Sequence, residues 1–316
     1  MPLCSGVPQG SVLGPVLFLL YVNYVVAELS CKYKIFADDI KLYLSFETNN
    51  SCEGTEMAQN NIDILVRTSS SWGLTMNTSK CVCIRFSPKN CILPYVGPSP
   101  YKIGLVTIDF VESHCDLGIT VDRTLKFHSH VARNARIANG ITSNILSCTL
   151  ERNNDFILNI YKFHVRPIME YGSSLWNVGY RGDMKVLERV QRRWTRAVDG
   201  ISDLPYNIRL HRLKLFSFQG RLLRTDLIMV WKIFHNKCAL KLENFFHLDM
   251  NSHTRGHQFK IFVPRVNLEV RKRYFSVRVI SAWNSLTDEA VSSDSLGSFK
   301  RLLHRDLGQQ LYDYID

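Results

Sequence analysis

Apolar and polar residues alternate on both sides of an acidic pair near the amino terminus, and this pattern predicts a β-hairpin. Residues 34–37 and 40–46 are rich in β-branched and aromatic side chains, as strands are. Asp38 and Asp39 stand between the two segments, so the predicted turn carries two carboxylates. Adjacent carboxylates repel each other, and a bound divalent cation would remove that repulsion. An exposed turn without a ligand fits the pattern too, because Asp is common in turns.

An uninterrupted apolar run precedes this hairpin. Residues 16–22 contain no charged side chain and predict a buried helix, with Pro15 suited to its first turn. The segment before the helix, residues 5–15, is rich in glycine and proline, which let a backbone approach a flat or charged ligand closely. An ordinary loop before a core helix is the alternative interpretation.

The hydrophobic pattern further along the chain predicts an α+β fold that becomes mainly helical. Strands are predicted at residues 81–86 and 104–110, with a proline-rich loop at 94–100 between them. We expect Asp183 and Ser295 to cap the helices that begin beside them. The predicted helices span residues 128–150, 155–176, 182–198, 219–237, 267–286 and 295–307.

The positive charge of the chain is concentrated in its second half. The net charge is +11, yet residues 1–150 carry 12 lysines and arginines against 11 acidic residues. Residues 151–316 carry 27 against 17. This asymmetry favours a nucleic-acid partner for the helical half.

One predicted helix shows how such a partner could be bound. Within residues 184–198, apolar side chains recur at helical spacing on one stripe. A second stripe is basic and could contact phosphates, although a solvated basic face is the alternative. The basic stripe consists of Lys185, Arg189, Arg192 and Arg196. A further cationic and aromatic cluster, residues 271–283, is either a second nucleic-acid surface or part of the core.

Cysteine usage and hydropathy argue against a secreted or membrane protein. The nine cysteines are scattered and form no Cys-x-x-Cys pair, which predicts reduced thiols and neither a disulfide framework nor a zinc site. Residues 12–29 are apolar but are interrupted by Gly14, Pro15, Asn23 and Glu28, and they lack a basic leader. We therefore expect an intracellular protein, in nucleus or cytoplasm, with no membrane partner.

Two motifs together resemble the reverse transcriptases of non-LTR, LINE-type retrotransposons, especially the jockey-like group. They are residues 5–15, Ser-Gly-Val-Pro-Gln-Gly-Ser-Val-Leu-Gly-Pro, and residues 36–39, Phe-Ala-Asp-Asp. Trp72 to Lys80 resembles the next motif of that family, and Leu117-Gly118-Ile119 a later hairpin. Segments around Tyr171, residues 187–193 and residues 283–284 resemble the helical regions that follow.

The resemblance implies roles for individual residues. Asp38 and Asp39 would hold catalytic Mg²⁺, and Lys80 would protonate the leaving pyrophosphate, although a solvated surface lysine is equally consistent. Leu117 and Gly118 would contact the primer end; Asp116 replaces the large apolar residue usual beside them. Nucleotide and template would contact Ser5, Gly6, Pro8, Gln9 and Gly10.

The resemblance also implies a domain organisation. Residues 1–127 would form an incomplete reverse-transcriptase palm, residues 128–238 a helical thumb and residues 239–316 a basic carboxyl-terminal region. In this family a further catalytic aspartate precedes the motif of residues 5–15. Met1 stands only four residues before that motif, so we expect the chain to be the carboxyl-terminal part of a longer polymerase.

Three functions remain open at this level. The first is a fragment of an RNA-directed DNA polymerase that joins dNTPs to a DNA primer on an RNA template by two-metal chemistry. The second is a non-catalytic remnant whose basic helices bind a nucleic-acid duplex. The third is a protein-interaction module. On its own, the chain is expected to lack polymerase activity.

Overall fold

The structure is a computed structural model that describes residues 10–47, 51–87, 96–150, 153–249 and 256–314. The chain forms two compact units, Met1–His114 and Cys115–Asp316, and both contain buried apolar clusters. Helices and strands are both present, so the mixed α and β character is as predicted. The predicted domain boundaries at residues 127 and 238 stay a prediction.

The first unit combines two helices with two small sheets in its described part. In chain order its elements are α1 (Gly14–Val25), β1 (Lys32–Phe36), β2 (Asp39–Tyr43), α2 (Ser51–Ser71), a 3-10 turn (Thr78–Lys80), β3 (Val82–Cys83), β4 (Gly97–Ile103) and β5 (Val106–Phe110). The predicted hairpin is present: β1 and β2 pair antiparallel, with Phe36 opposite Asp39. The polar helix α2 was not predicted from the sequence.

The second sheet has the strand order β3-β5-β4, with β3 parallel and β4 antiparallel to β5. The prediction of a loop at 94–100 is wrong for its described part, because Pro98 and Pro100 lie within β4. Here β4 is an edge strand, and its pairing shifts register between Pro98 and Lys102. Edge strands and register shifts are where a sheet tolerates proline, which has no N–H to donate.

Helix α1 is present as predicted, but the prediction that it is buried is wrong. Val16 and Leu20 are each 54% exposed, and the buried residues of the helix are Gly14 at its start and Val22 and Val25 in its last turn. An apolar run specifies a helix without specifying what covers it. No helix among the described residues is long and apolar enough to span a membrane.

The second unit is almost entirely helical. It begins within the hairpin of β6 (Ser113–Asp116) and β7 (Ile119–Asp122). Its helices are α3 (His128–Cys148), α4 (Asn154–Ile160), a π-helical turn (Tyr161–Val165), α5 (Arg166–Glu170), α6 (Ser173–Trp176), α7 (Arg181–Arg196), α8 (Tyr206–Arg212), α9 (Phe218–Phe234), a 3-10 turn (Leu242–Asn244), α10 (Glu269–Lys272), α11 (Phe275–Arg278), α12 (Ile280–Asn284), α13 (Asp288–Val291), α14 (Leu296–Leu307) and a final 3-10 turn (Gly308–Leu311).

Helix α9 joins two hydrophobic clusters in this unit. Its first half contributes Phe218 and Leu222 to a cluster that also contains residues of α3 and α7. Its second half contributes Leu227 and Trp231 to a cluster built with the carboxyl-terminal helices. Both halves of α9 contain buried residues, so this helix packs against both clusters.

Several predicted helices are shorter than their hydrophobic patterns. The helix predicted at 155–176 is broken at Gly172, whose φ of 63° lies in the left-handed region that favours glycine. The helix predicted at 267–286 is divided into α10, α11 and α12. Ser295 caps α14 as predicted, with its Oγ accepting from the Ser298 amide at 3.1 Å. Asp183 instead lies in the first turn of α7, where it accepts from His128 Nδ1 at 2.8 Å.

Candidate functional site

The acidic pair lies at the tip of the β1–β2 hairpin. Ala37 and Asp38 form the two-residue connection, and Asp39 is the first residue of β2. Ala37 has a φ of 50°, a conformation that costs a residue with a Cβ about 1–2 kcal/mol. Both aspartates are exposed, so the turn presents two carboxylates to solvent.

The chemistry of this pair suits a hard divalent cation, because carboxylate oxygens are the ligands that Mg²⁺ prefers. Within the described residues, no cluster of three His, Cys, Asp or Glu side chains could hold a metal ion. The hairpin therefore fits as a partial ligand set: Asp38 and Asp39 would supply two ligands of a larger coordination sphere.

A buried asparagine fixes the approach to the hairpin. The Asn61 side chain on α2 is fully buried, and its Oδ1 accepts from the backbone amides of Ser30 at 2.9 Å and Cys31 at 3.2 Å. Its Nδ2 donates to the Met57 carbonyl at 2.8 Å. These bonds hold the segment that enters β1. Asn61 could not be identified from the sequence, since an asparagine within a polar helix gives no signal of a distant backbone partner.

The hairpin also packs on apolar residues behind it. Ile35 of β1 and Ile40 and Leu42 of β2 pack against a cluster formed by α1 and α2. Tyr24 of α1 also stacks on Trp72, the residue after α2, with ring centroids 5.4 Å apart. The aspartate turn is thus attached to both helices of its unit.

We expect Asn61→Leu to destabilise the first unit by about 1–3 kcal/mol, because it leaves two buried amides without acceptors. Hydrogen exchange measures this directly, since the Ser30 and Cys31 amides should lose protection. Asn60→Leu is the matched control, because Asn60 is exposed on the same helix. Equal protection in the Asn61 and Asn60 variants would show that Asn61 does not position the hairpin.

The structure does not join Lys80 to the acidic pair. Lys80 ends the 3-10 turn Thr78–Lys80 and is exposed. In the described part of the chain it forms no hydrogen bond or ion pair with Asp38 or Asp39. Its role as an acid stays a prediction.

Most of the predicted nucleotide and template residues fall outside the described residues. These are Ser5, Gly6, Pro8 and Gln9. Gly10 is described: it is exposed, and its φ of 85° lies in the region that favours glycine. That conformation is consistent with a close backbone approach to a ligand.

Leu117 and Gly118 connect β6 and β7, and both have positive φ, at 47° and 82°. A Cβ on Gly118 would lie 3.5 Å from Tyr171, and one on Gly172 would lie 2.4 Å from Ile119. The turn predicted to contact the primer therefore packs against the Tyr171–Gly172 break between α5 and α6. Only glycine fits at 172 without a clash.

The basic stripe on α7 is present, but its four side chains differ in their exposure to solvent. Arg189 and Arg196 are exposed, while Lys185 and Arg192 are half-buried. The Arg192 guanidinium lies 4.8 Å from the ring centroids of both Tyr206 and Tyr314. Sequence spacing predicted the stripe but not this cation–π contact.

The opposite stripe of α7 is core, as its spacing predicted. Leu187, Val190 and Trp194 are almost completely buried, and Trp194 donates to Thr142 Oγ1 on α3 at 2.7 Å. This packing fixes which face of α7 is left to solvent.

The cationic and aromatic cluster at 271–283 is largely structural. Phe275 and Trp283 are buried in the second hydrophobic cluster of the helical unit. Arg278 forms a buried pair with Asp226, with its Nε 3.0 Å from Oδ2. Of the two interpretations of this segment, the core interpretation is the one observed for these residues.

Comparison with known proteins adds independent information. Residues 1–111 match the family described as reverse transcriptase (RNA-dependent DNA polymerase). A probable RNA-directed DNA polymerase from transposon BS of Drosophila melanogaster is 29% identical over 66% of this chain and 24% of its own length.

Two further relatives come from the same organism. The probable RNA-directed DNA polymerase from transposon X-element is 29% identical over 67% of this chain and 24% of the relative. The RNA-directed DNA polymerase from mobile element jockey is 23% identical over 63% of this chain and 22% of the relative. The chain thus spans about a quarter of the length of these relatives. No solved structure matches significantly.

Proposed function

We propose that this chain, a relative of the reverse transcriptases of jockey-like non-LTR retrotransposons, supplies part of an RNA-directed DNA polymerase. The observation that carries the proposal is the exposed Asp38-Asp39 pair at the tip of a β-hairpin, inside the segment that matches the reverse-transcriptase family. Residues 1–127 would serve as part of the palm, residues 128–238 as the thumb and residues 239–316 as a basic carboxyl-terminal region.

Asp38 and Asp39 would hold divalent metal, for which Mg²⁺ fits the oxygen ligands best. When bound, such a metal supplies Lewis-acid activation of the primer 3′-hydroxyl and stabilises the leaving pyrophosphate. Residues of the chain itself would support the hairpin and supply a proton. Asn61 holds the segment that enters β1, and the apolar cluster that Ile35 packs against supports the hairpin that carries the two carboxylates. Lys80 would give a proton to the pyrophosphate.

The other assigned residues would position the substrates. The glycine-rich segment from Ser5 to Gly10 would support template and dNTP, and the turn at Leu117 and Gly118 would contact the primer. The packing of Gly118 against Tyr171, and of the adjoining Ile119 against Gly172, suits a positioning role. Substrates of the reaction would be an RNA template, a DNA primer and dNTPs.

RNA-templated primer extension tests the proposal in a protein that joins residues 1–316 to the further sequence of a full-length element. Incorporation of dNTPs that depends on a divalent cation and on an RNA template is the expected result. The opposite result is that this joined protein folds and binds primer and template but incorporates no dNTPs. Residues 1–316 would then belong to a non-catalytic nucleic-acid-binding remnant. That second function is supported by the excess of positive charge in residues 151–316.

Duplex binding by the basic stripe gives a separate prediction. Replacing Lys185 and Arg189 together by glutamine removes two charges and leaves Arg192 packed on its tyrosines. We expect duplexes of unrelated sequence to lose affinity alike, and the slope of log affinity against log salt to fall by about 2, since each phosphate contact contributes about 0.9. Fluorescence anisotropy at several salt concentrations measures both quantities.

The matched control is the Lys300→Gln, Arg301→Gln double variant, which removes the same charge from α14. Its salt slope should stay close to that of the original chain. If both double variants behave alike, net charge rather than the α7 stripe governs binding.

A further inference from the structure

A cavity of about 680 Å³ opens in the helical unit, beside the basic stripe. It lies between the carboxyl-terminal turn of α7, the segment that leads into α8, and the last described residues of the chain. The residues that matter for its chemistry are Arg192, Arg196, Asp203, Tyr206, Arg209 and Tyr314. Three of these six side chains carry a positive charge and one carries a negative charge.

The most deeply buried charged side chain of this set is that of Arg209. Its residue is only 2% exposed, and its Nη1 reaches only the Ser202 carbonyl, at 3.5 Å. Among the described residues its Nε has no hydrogen-bond partner. A buried guanidinium with unused N–H groups is costly, and such a group commonly points to a ligand or ion that completes it.

Electrostatics disfavour this arrangement unless an anion is present. Burial, followed by the Arg196 guanidinium, lowers the pKa of Arg209, and Arg192 acts in the same direction. In the described part of the chain the acidic side chain that lines the cavity is Asp203, and the buried Glu188 contacts the Tyr206 hydroxyl. Glu188 already accepts from the Tyr206 hydroxyl and from the Phe218 amide at 2.9 Å. The cavity therefore keeps an excess of positive charge.

The aromatic wall of the cavity consists of Tyr206 and Tyr314, and contacts of residues 311–313 with the start of α9 position Tyr314. Ser217 caps α9, and its amide donates to the Leu311 carbonyl at 2.9 Å while its Oγ donates to the Asp313 carbonyl at 2.6 Å. Gly220 lies so close to Leu311 that a Cβ there would be 2.2 Å from its carbonyl oxygen. This anchorage brings the Tyr314 ring to 4.9 Å from Tyr206.

Tyr206 is held from the other side by buried polar groups. Its hydroxyl accepts from Gln191 Nε2 at 3.0 Å, and Gln191 Oε1 accepts from Tyr161 at 2.6 Å. Both tyrosine rings are therefore rigid surfaces against which the Arg192 guanidinium is oriented. A site in which the charged groups are held in place before binding loses little entropy when a ligand enters.

From this geometry we infer that the cavity is a binding site for a phosphate group, with Arg209 as its buried fork and Arg192 and Arg196 as flanking cations. A guanidinium fork matches two oxygens of a phosphate, which no lysine in the stripe could do. The phosphate is either a free one or a nucleic-acid phosphodiester. The inference is independent of polymerase activity and differs from surface contacts by the stripe, since it requires a buried arginine outside α7.

Binding of inorganic phosphate to the complete chain tests the inference, with chloride used to hold ionic strength constant. We expect a saturable rise in melting temperature. Arg209→Met should weaken the binding by about 10- to 100-fold, because hydrogen bonds to charged groups are lost. Arg212→Met is the matched control: Arg212 is exposed on the same helix and does not line the cavity. Equal phosphate binding in the two variants would overturn the inference.

A second variant keeps the test decisive if Arg209→Met fails to fold. Asp203→Asn removes the carboxylate at the rim and should strengthen phosphate binding about fivefold, the size of one close charge interaction in water. Asp199→Asn, an exposed neighbour outside the cavity, should leave it unchanged. Failure of Asp203→Asn to strengthen binding relative to Asp199→Asn would count against the site.

Two oligonucleotide arms distinguish the sources of the phosphate. If the site takes a phosphodiester, a single-stranded oligonucleotide should compete with inorganic phosphate, and a methylphosphonate version of the same sequence should not. Its affinity should also fall in Arg209→Met. If the site takes free phosphate, inorganic phosphate binds as above and oligonucleotide affinity is the same in Arg209→Met as in the original chain. Absence of saturable phosphate binding at constant ionic strength would reject both.

Discussion

Replacing Asp38 by asparagine should lower the rate of RNA-templated nucleotide incorporation by about 10³-fold in the full-length protein proposed above, about 4 kcal/mol of transition-state stabilisation. Asparagine nearly preserves the shape of the side chain, so the hairpin turn should form unchanged. What it removes is the negative charge that would hold a divalent cation near the reacting phosphate. Single-turnover primer extension isolates this effect from primer binding and product release.

Asp109→Asn serves as the control, because it makes the same chemical change at an aspartate that is exposed on β5 of the same unit. Its incorporation rate should stay within about a few-fold of the original, as expected for a surface substitution. Equal losses in the Asp38 and Asp109 variants would remove Asp38 from the metal site.

Removing Asp226 should destabilise the helical unit by about 3–5 kcal/mol, because it leaves a buried arginine without its counter-ion. Asp226 is 2% exposed and receives two bonds from Arg278, Nε to Oδ2 at 3.0 Å and Nη2 to Oδ1 at 3.1 Å. Arg278 Nη2 also donates to the Ser174 carbonyl at 2.9 Å. The pair thereby joins α9, α11 and α6. Urea unfolding of Asp226→Ala measures the decrease in the free energy of unfolding when the pair is lost.

The double variant Asp226→Ala, Arg278→Met separates the charge effect from lost packing. It should be more stable than Asp226→Ala alone, since removing both charges ends the cost of the unpaired one. An Asp226→Ala chain that unfolds with nearly the original free energy would show that this pair does not hold the three helices together.

The β1–β2 hairpin could be predicted because its information is local. Alternating apolar residues and an acidic pair lie within about a dozen positions, and they predict two paired strands. The exact register could not be predicted: the connection is Ala37-Asp38, and Asp39 already belongs to β2, opposite Phe36. The burial of α1 could not be predicted in the same way. Its apolar run specifies a helix, whereas exposure at Val16 and Leu20 depends on which elements lie beside it.

The features of the site that join distant parts of the chain could not be predicted from the sequence for a similar reason: they depend on which elements pack together. Asn61 contacts backbone about thirty residues earlier in the chain, and no pattern in α2 marks it. The basic stripe of α7 was evident from its spacing, but the contact of Arg192 with Tyr314 joins residues more than a hundred positions apart. The phosphate cavity depends on that contact and on the buried Arg209, so only the folded chain reveals it.

Mn²⁺ titration followed by NMR shows whether the β1–β2 hairpin binds a divalent cation through Asp38 and Asp39. Mn²⁺ replaces Mg²⁺ at oxygen ligands and broadens the signals of nearby amides. With a dNTP present, the amides from Ala37 to Ile40 should broaden first in the chain of residues 1–316. That broadening should disappear in the Asp38→Asn, Asp39→Asn double variant and persist in Asp109→Asn. Broadening at the hairpin that survives loss of both carboxylates would exclude Asp38 and Asp39 as the metal ligands.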